Sequence, residues 1–239
     1  MRSHRRTVAL TVGGAVLIVT ALIVGSRFTS GTKRPNPAAL RMTASIEQML
    51  KGIPQRGIAL GEPSAPVTLV EFADPQCPWC ARWADTVLPE LVQRYVRPGE
   101  LRILFQGQTF IDGYTSGLND SERLLRLALA AGQQNRLWNV VELFYANQGT
   151  ENSGYASDAY LSAIVEAIPG LDATKVLSIA KSSAVVQAVE SARSAYDQSR
   201  IRGTPSFLLG RTGREPTERI EKTVSPGDFI DPIEALLAR

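Results

Sequence analysis

Both cysteines of the 239-residue chain fall within one four-residue run, Cys77-Pro78-Trp79-Cys80. Two thiols at that spacing can exchange a disulfide with another protein, supply half of a metal site, or close a small structural ring. Zinc normally takes four ligands, yet there is no second Cys-x-x-Cys and the one histidine, His4, stands at the far N-terminus, so no metal is expected. A structural disulfide across so short a loop removes little entropy from the unfolded chain, which argues against that use. Thiol exchange suits the pair best.

The elements around the pair must position it. The lead-in "VTLVEFA", Val67 to Ala73, is β-branched, aromatic and nearly continuous in apolar character, as in a strand covered on both faces. From Cys77 onward the pattern turns helical, with Ala84, Val87, Leu88, Leu91, Val92 and Tyr95 recurring between Arg82, Asp85, Glu90 and Arg94. Pro89 is expected to kink this helix. Cys77 then sits over unsatisfied backbone N–H groups at a helix N-terminus, which favour thiolate, whereas Cys80 lies one turn in and less exposed. The expected division is Cys77 as attacking nucleophile and Cys80 as resolving thiol. Pro78, with a fixed φ and no N–H, is accepted in the first turn and stiffens it. A helix terminus contributes about 0.3 to 1 kcal/mol, up to ~2 when partly buried, against about 1.36 kcal/mol per pKa unit. The dipole alone cannot make a very acidic thiol, and the sequence does not display the hydrogen bonds or cation that would add to it.

Upstream, "ASIEQMLKG" reads as a short helix and "GIALG" as a short strand. Leu101 to Gln108 reads as a second strand, parallel to the first through a helical crossover. About 90 residues of helical signal follow. They run from "SERLLRLALAAGQQ", with Asp120 or Ser121 as its cap, through "RLWNVVELFYANQ", "SDAYLSAIVEAI" and "DATKVLSIA" to "SAVVQAVESARSAYDQS". "TPSFLLG" and "TERIEK" read as two strands joined by "RTGRE", and "SPGDFIDPIEALLAR" as a closing helix. The order β, α, β, helices, β, β, α describes a small α/β domain with a helical insertion.

Net charge is +3, but residues 1–43 carry seven Lys/Arg and no acid, leaving nineteen basic against twenty-three acidic residues and a body of about −4. No basic footprint for nucleic acid lies on that body. The uncharged run Val8 to Val24, "VALTVGGAVLIVTALIV", is at the short end of the roughly 17 to 25 residues that cross a bilayer. It exceeds the roughly 7 to 15 apolar residues of a cleaved signal peptide. The expected organisation is a cytoplasmic N-terminus at 1–6, an uncleaved transmembrane signal anchor at 7–25, an extended linker at 26–43 and a folded domain at 44–239, its insertion spanning about 115–200. Arg2, Arg5 and Arg6 favour the N-in orientation, against Arg27, Lys33 and Arg34 on the far flank. The rival is a protein secreted after cleavage near Val24-Gly25-Ser26. In either case the cysteines reach a compartment where disulfides persist.

"FADPQCPWC" with "GTPSF" far downstream resembles the DsbA-like thiol–disulfide oxidoreductases of the thioredoxin superfamily. The lead-in "GIPQRGIALGEPSAPVTLVEFADPQCPWC" resembles their membrane-anchored bacterial branch, and the likeness runs roughly from Gly52 to the C-terminus. It implies a thioredoxin-like fold with a helical domain between the second and third core strands and a redox-active Cys77–Cys80 disulfide. It further implies no cofactor, exported cysteine-containing substrates, and reoxidation by a DsbB-like or vitamin K epoxide reductase-like membrane partner. Thr204-Pro205 matches a dipeptide whose cis-proline faces the dithiol and whose preceding residue pairs with bound peptide. Without the likeness, Pro205 would be cis with a prior of only about 5 to 6%. Glu71 matches a buried acid that takes up the resolving cysteine's proton.

Glu71 also has a reading of its own. It interrupts an apolar strand, and burial there would raise its pKa, suiting a proton acceptor; the other reading turns it to solvent. Trp79 either contacts substrate, together with Pro78 and Thr204, or packs against neighbouring loops. Asp74 and Gln76 read as turn residues. Many strongly oxidising members carry His between the cysteines, and Trp79 supplies no such charge, so the motif leaves oxidising strength open. The alternatives to an oxidase are a disulfide isomerase or reductase, and a non-catalytic anchored thioredoxin-like binding module. Ser26 to Gly61 is too short for the dimerisation domain that family isomerases usually add.

Overall fold

The computed structural model describes residues 40–238, apart from 115, 116, 200 and 222. The chain enters through α1 (Thr43–Leu50), which buries Ile46 and Leu50. A hairpin of β1 (Gln55–Arg56) and β2 (Ala59–Leu60) follows, so "GIALG" pairs with a strand that its own pattern did not announce. β3 (Val67–Ala73) coincides with the expected apolar strand. β4 (Leu101–Gly107) runs parallel to it and pairs Phe105 with Glu71, while β5 (Ser206–Arg211) runs antiparallel on the other side and pairs Phe207 with Glu71. With β6 (Glu218–Glu221) the order is β1-β2-β4-β3-β5-β6, which places β3 inside the sheet and accounts for its nearly continuous apolar run. The period of two puts Val67, Leu69, Glu71 and Ala73 on one face, three core aliphatics and one carboxylate.

α2 (Pro78–Thr86) begins with Pro78 in its first turn and Cys77 as N-cap. The bend expected at Pro89 is a one-residue break at Val87, after which α3 (Leu88–Leu91) carries Pro89 in its own first turn, where the missing N–H costs no ladder bond. A π turn over Val92–Val96 leads to β4.

The insertion between β4 and β5 holds a 3-10 turn (Phe110–Tyr114) and α4 (Asp120–Gly132), α5 (Leu137–Ala146), α6 (Asp158–Glu166), α7 (Ala173–Ile179) and α8 (Ser183–Ser199). Ser157 and Asp172 cap α6 and α7 through side-chain bonds from the Tyr160 and Lys175 N–H groups. α4 is not capped by Asp120 or Ser121: its N-cap is Asn119 without a side-chain bond, and the Asp112 carboxylate comes from the 3-10 turn to accept from the Ser121 and Glu122 N–H groups. Asp120 instead accepts from Gly154 and Ala156. α5 is buried on every side, packed among α1, α2, α4 and α6. At the end of β4, a Cβ on Gly107 would lie 2.2 Å from Leu125 Cδ1, so any larger residue there would have to displace the Leu125 side chain of α4.

α9 (Gly227–Leu237) completes the core. Its Phe229 and Phe207 of β5 hold Trp83 of α2, with ring centroids 6.1 and 4.9 Å away. Such aromatic pairs add about 0.5 to 1.5 kcal/mol beyond their buried area, which fixes the start of α2 against the sheet. The N-terminal residues 1–6, the signal anchor expected at 7–25 and the linker up to residue 39 lie outside the described residues. Among the described residues, no helix is long and apolar enough to cross a membrane.

Candidate functional site

The two thiols, both free in the structure, sit where β3 hands over to α2 and experience opposite environments. Cys77 is 5% exposed and Cys80 fully buried. The Cys80 thiol donates to the Cys77 sulfur; burial opposes the charge, but Thr204 and the N–H groups of Cys80 and Trp79 favour it, and the Cys77 pKa falls from 9.0 to about 6. When protonated, Cys77 donates to the Thr204 carbonyl at 3.4 Å. The Thr204–Pro205 peptide is cis, and Pro205 is buried at the entry to β5. The Cys80 and Thr204 contacts supply what the helix terminus lacked. Cys80 itself is pushed well above 9.0 by burial, by its own donation to Cys77 and by the charges of Cys77 and Glu71, against one N–H from Asp74.

Glu71 is 1% exposed and neither carboxylate oxygen has a hydrogen-bond partner, so the solvent-facing reading does not hold. Burial and then the Cys77 charge raise its pKa from 4.5 to about 8. Near pH 7 the reduced site therefore carries a Cys77 thiolate, a Cys80 thiol and a protonated Glu71. A buried polar group without a partner costs roughly 1 to 3 kcal/mol, so Glu71 is kept at the expense of stability.

Asp74 makes the expected turn by accepting from the Gln76 N–H at 2.9 Å, but it does more than that. It is buried, accepts from the Ile111 N–H and the Ser121 hydroxyl, and burial outweighs these donors to raise its pKa from 3.8 to about 7. The Gln76 amide donates to Asp112 and Ser121 and accepts from the Asn152 N–H. Gln148 donates to the carbonyls of Pro75 and Cys77 at 2.9 and 3.1 Å. The loop before Cys77 is thus tied to the insertion by residues that the sequence pattern did not single out.

Trp79 is 63% exposed and Pro78 is exposed beside it, so Trp79 does not pack into neighbouring loops. Among the described residues, no group of three or more His, Cys, Asp or Glu side chains is arranged to hold a metal ion. Two further buried ionisable groups, Glu142 and Tyr145 of α5, stand behind the cysteines. The one signal for Glu142 in the sequence is a charge inside the apolar run "VVELFYA".

Comparison with known proteins agrees with this geometry. A family model described as Thioredoxin matches residues 54–225. The probable disulfide bond formation protein D of Bacillus anthracis is 26% identical over 234 residues, covering 94% of this chain and 97% of that protein. Its Bacillus cereus counterpart is 26% identical over 174 residues, 70% of this chain and 76% of that protein. Among solved structures, oxidised BdbD from Bacillus subtilis has a TM-score of 0.66 at 16% identity, covering 78% of this chain and 98% of that one. Wolbachia pipientis alpha-DsbA1 follows at 0.62 and 17%, covering 81% and 96%. At such identities these structures speak for the fold.

Proposed function

The chain belongs to the thioredoxin family as a DsbA-like protein thiol–disulfide oxidoreductase, and on that premise we propose that it works outside the cytoplasm, introducing disulfides into exported proteins. The observation that supports this most is the inequality of the thiols: Cys77 is drawn down to about 6 while Cys80 is driven well above 9.0. A sulfur held as thiolate is the better leaving group, so the reduced state is favoured and the disulfide is inclined to oxidise others.

In this reading a substrate thiolate attacks the Cys77 sulfur of the Cys77–Cys80 disulfide. The S–S electron pair passes to Cys80, whose buried sulfur takes a proton from Glu71. A second substrate thiolate then attacks the substrate sulfur of the mixed disulfide and expels Cys77 as thiolate. The substrate dithiol is oxidised and the cysteine pair reduced, two electrons in all. Trp79, Pro78 and Thr204 border the attacked sulfur and serve as substrate contacts, with Pro205 holding Thr204 in place. Reoxidation runs the sequence backwards on a DsbB-like or vitamin K epoxide reductase-like membrane partner. Once Cys77 is in a mixed disulfide its charge is gone, one of the two causes that raise Glu71 vanishes, and the carboxylate is freer to accept the Cys80 proton. The apolar run at 8–24 would hold the domain at the outer face of the membrane.

The test is Cys80→Ser in the full chain. Exported cysteine-containing proteins should accumulate as mixed disulfides on Cys77. If none accumulate and a variant without either cysteine still complements a deletion, the domain is a binding module.

A further inference from the structure

Glu71 has no direct way to exchange its proton. Both its oxygens are buried and unpartnered, yet each turnover loads and unloads one proton there. Oε1 of Glu142 and the Tyr145 hydroxyl are likewise buried without a partner. Glu142 senses the charge of Glu71, and Tyr145 senses Cys80, Glu71, Cys77 and Glu142, so the three side chains and the cysteine pair form one electrostatic cluster. Glu142 and Tyr145 lie three residues apart on one face of α5. Both line a cleft of about 540 Å³ between α1, α2 and α5, where Ala81 and Ala84 of α2 leave room; Glu71 and the cysteines do not reach it.

We propose that Glu142, together with Tyr145 of the same cleft wall, is the relay through which Glu71 exchanges its proton with solvent in this cleft. The inference rests on Glu71 as the proton partner of Cys80. As the disulfide closes, Cys80 gives its proton to the Glu71 carboxylate. Tyr145, whose hydroxyl bonds to neither carboxylate in the structure, swings to take the Glu71 proton while handing its own to the Glu142 carboxylate, and Glu142 releases it to water in the cleft. On the oxidising half-cycle the same hops run inward, and no redox co-reactant is needed.

Burial first, and then the charges of Glu71 and Asp85, hold Glu142 well above 4.5. Two carboxyls sharing one low-dielectric site do not ionise together, so a proton leaving one is drawn to the other. Around Glu142, β3 contributes Glu71, α2 contributes Arg82 and Asp85, and Arg41 lines the cleft before α1. The α1 carboxylate Glu47 accepts from Asn139, and across α4 and α6 Arg123 pairs with Asp158 and Arg126 with Glu122. Glu142 is a positioning residue in this scheme, acting on the sulfur only through Glu71.

The experiment follows closure of a glutathione mixed disulfide on Cys77 by Cys80 against pH, in the full chain. Variants are Glu142→Gln, Glu142→Asp, Tyr145→Phe, Glu71→Gln and the Glu71→Gln/Glu142→Gln double. General acid–base steps typically contribute about 10²- to 10⁴-fold, so Glu142→Gln should slow closure at least about tenfold at pH 7 and displace its pH profile. Glu142→Asp should recover most of the rate, and the double variant should be no slower than Glu71→Gln. Closure by Glu142→Gln at the wild-type rate and profile, with Glu71→Gln impaired, overturns the relay alone. Unimpaired closure by Glu71→Gln overturns the acceptor role on which the relay stands.

Discussion

The Ser121 hydroxyl donates to the Asp74 carboxylate at 2.6 Å and so joins the loop ahead of Cys77 to the first long helix of the insertion. Ser121 also accepts from the Gln76 amide at 2.7 Å. Ser121→Ala should therefore leave two buried polar groups short of a partner and lower stability by roughly 1 to 3 kcal/mol. A urea unfolding midpoint equal to wild type would remove this network from the account of the site.

Cys77 should titrate with a midpoint of about 6 in the reduced protein, read from thiolate absorbance or alkylation rate. Cys80→Ala removes the leading donor and should raise that midpoint. The folded pKa is depressed, so the stability Cys77 lends to the reduced form is complete above 9.0 and lost as pH falls through about 6. A wild-type midpoint near 9 would contradict the arrangement.

The redox potential follows from the same sulfur. Thiol pKa values of about 7 and 3.5 accompany potentials of about −270 and −120 mV in thioredoxin and DsbA. Cys77, between them, predicts an intermediate potential in equilibrium with glutathione. A value at or below that of thioredoxin would replace the oxidase with a reductase.

Glu71→Gln separates stability from activity. The Glu71 pKa is raised, so its contribution is most favourable below 4.5 and is lost as pH rises to about 8, because the unfolded chain releases that proton first. The variant should gain up to about 3 kcal/mol at pH 7 and flatten the stability profile between these limits. It should also slow reclosure of the mixed disulfide. A variant that is less stable than wild type at pH 7 would mean that the Glu71 carboxyl does have a partner in the folded protein.

Trp79 stands in solvent, so Trp79→Ala should change stability by no more than about 0.5 kcal/mol. If it greets substrate, oxidation of a cysteine-containing peptide should suffer about tenfold more than reaction with glutathione, a loss in the range of one aromatic contact. Equal losses with both would make Trp79 a regulator of the thiols instead.

The sheet, apart from β1, and the start of α2 were legible because their signals are local. Val67–Ala73 carries its strand in its own composition, and Pro78 marks the first turn of a helix. Even the carboxylate of Glu71 stood out against an apolar run. The forces on Cys77 were not legible, since Thr204 reaches it only after β5 pairs with β3. Nor was the role of Asp74: a turn residue in sequence, it takes its second and third donors from Ile111 and Ser121. Glu142 was hidden for another reason, as a single charge on a helix that its neighbours bury on all sides.

Cys77 and Thr204 are 127 residues apart along the chain. The sulfur therefore leaves the ribosome well before the residue that helps tune it, and the whole insertion must be threaded before β5 can reach β3. Until then Cys77 has only the donors that α2 can supply, the Cys80 thiol and the N–H groups of Cys80 and Trp79. The full reactivity of the sulfur is thus a property of the finished chain, reached only when a complete domain exists to control it.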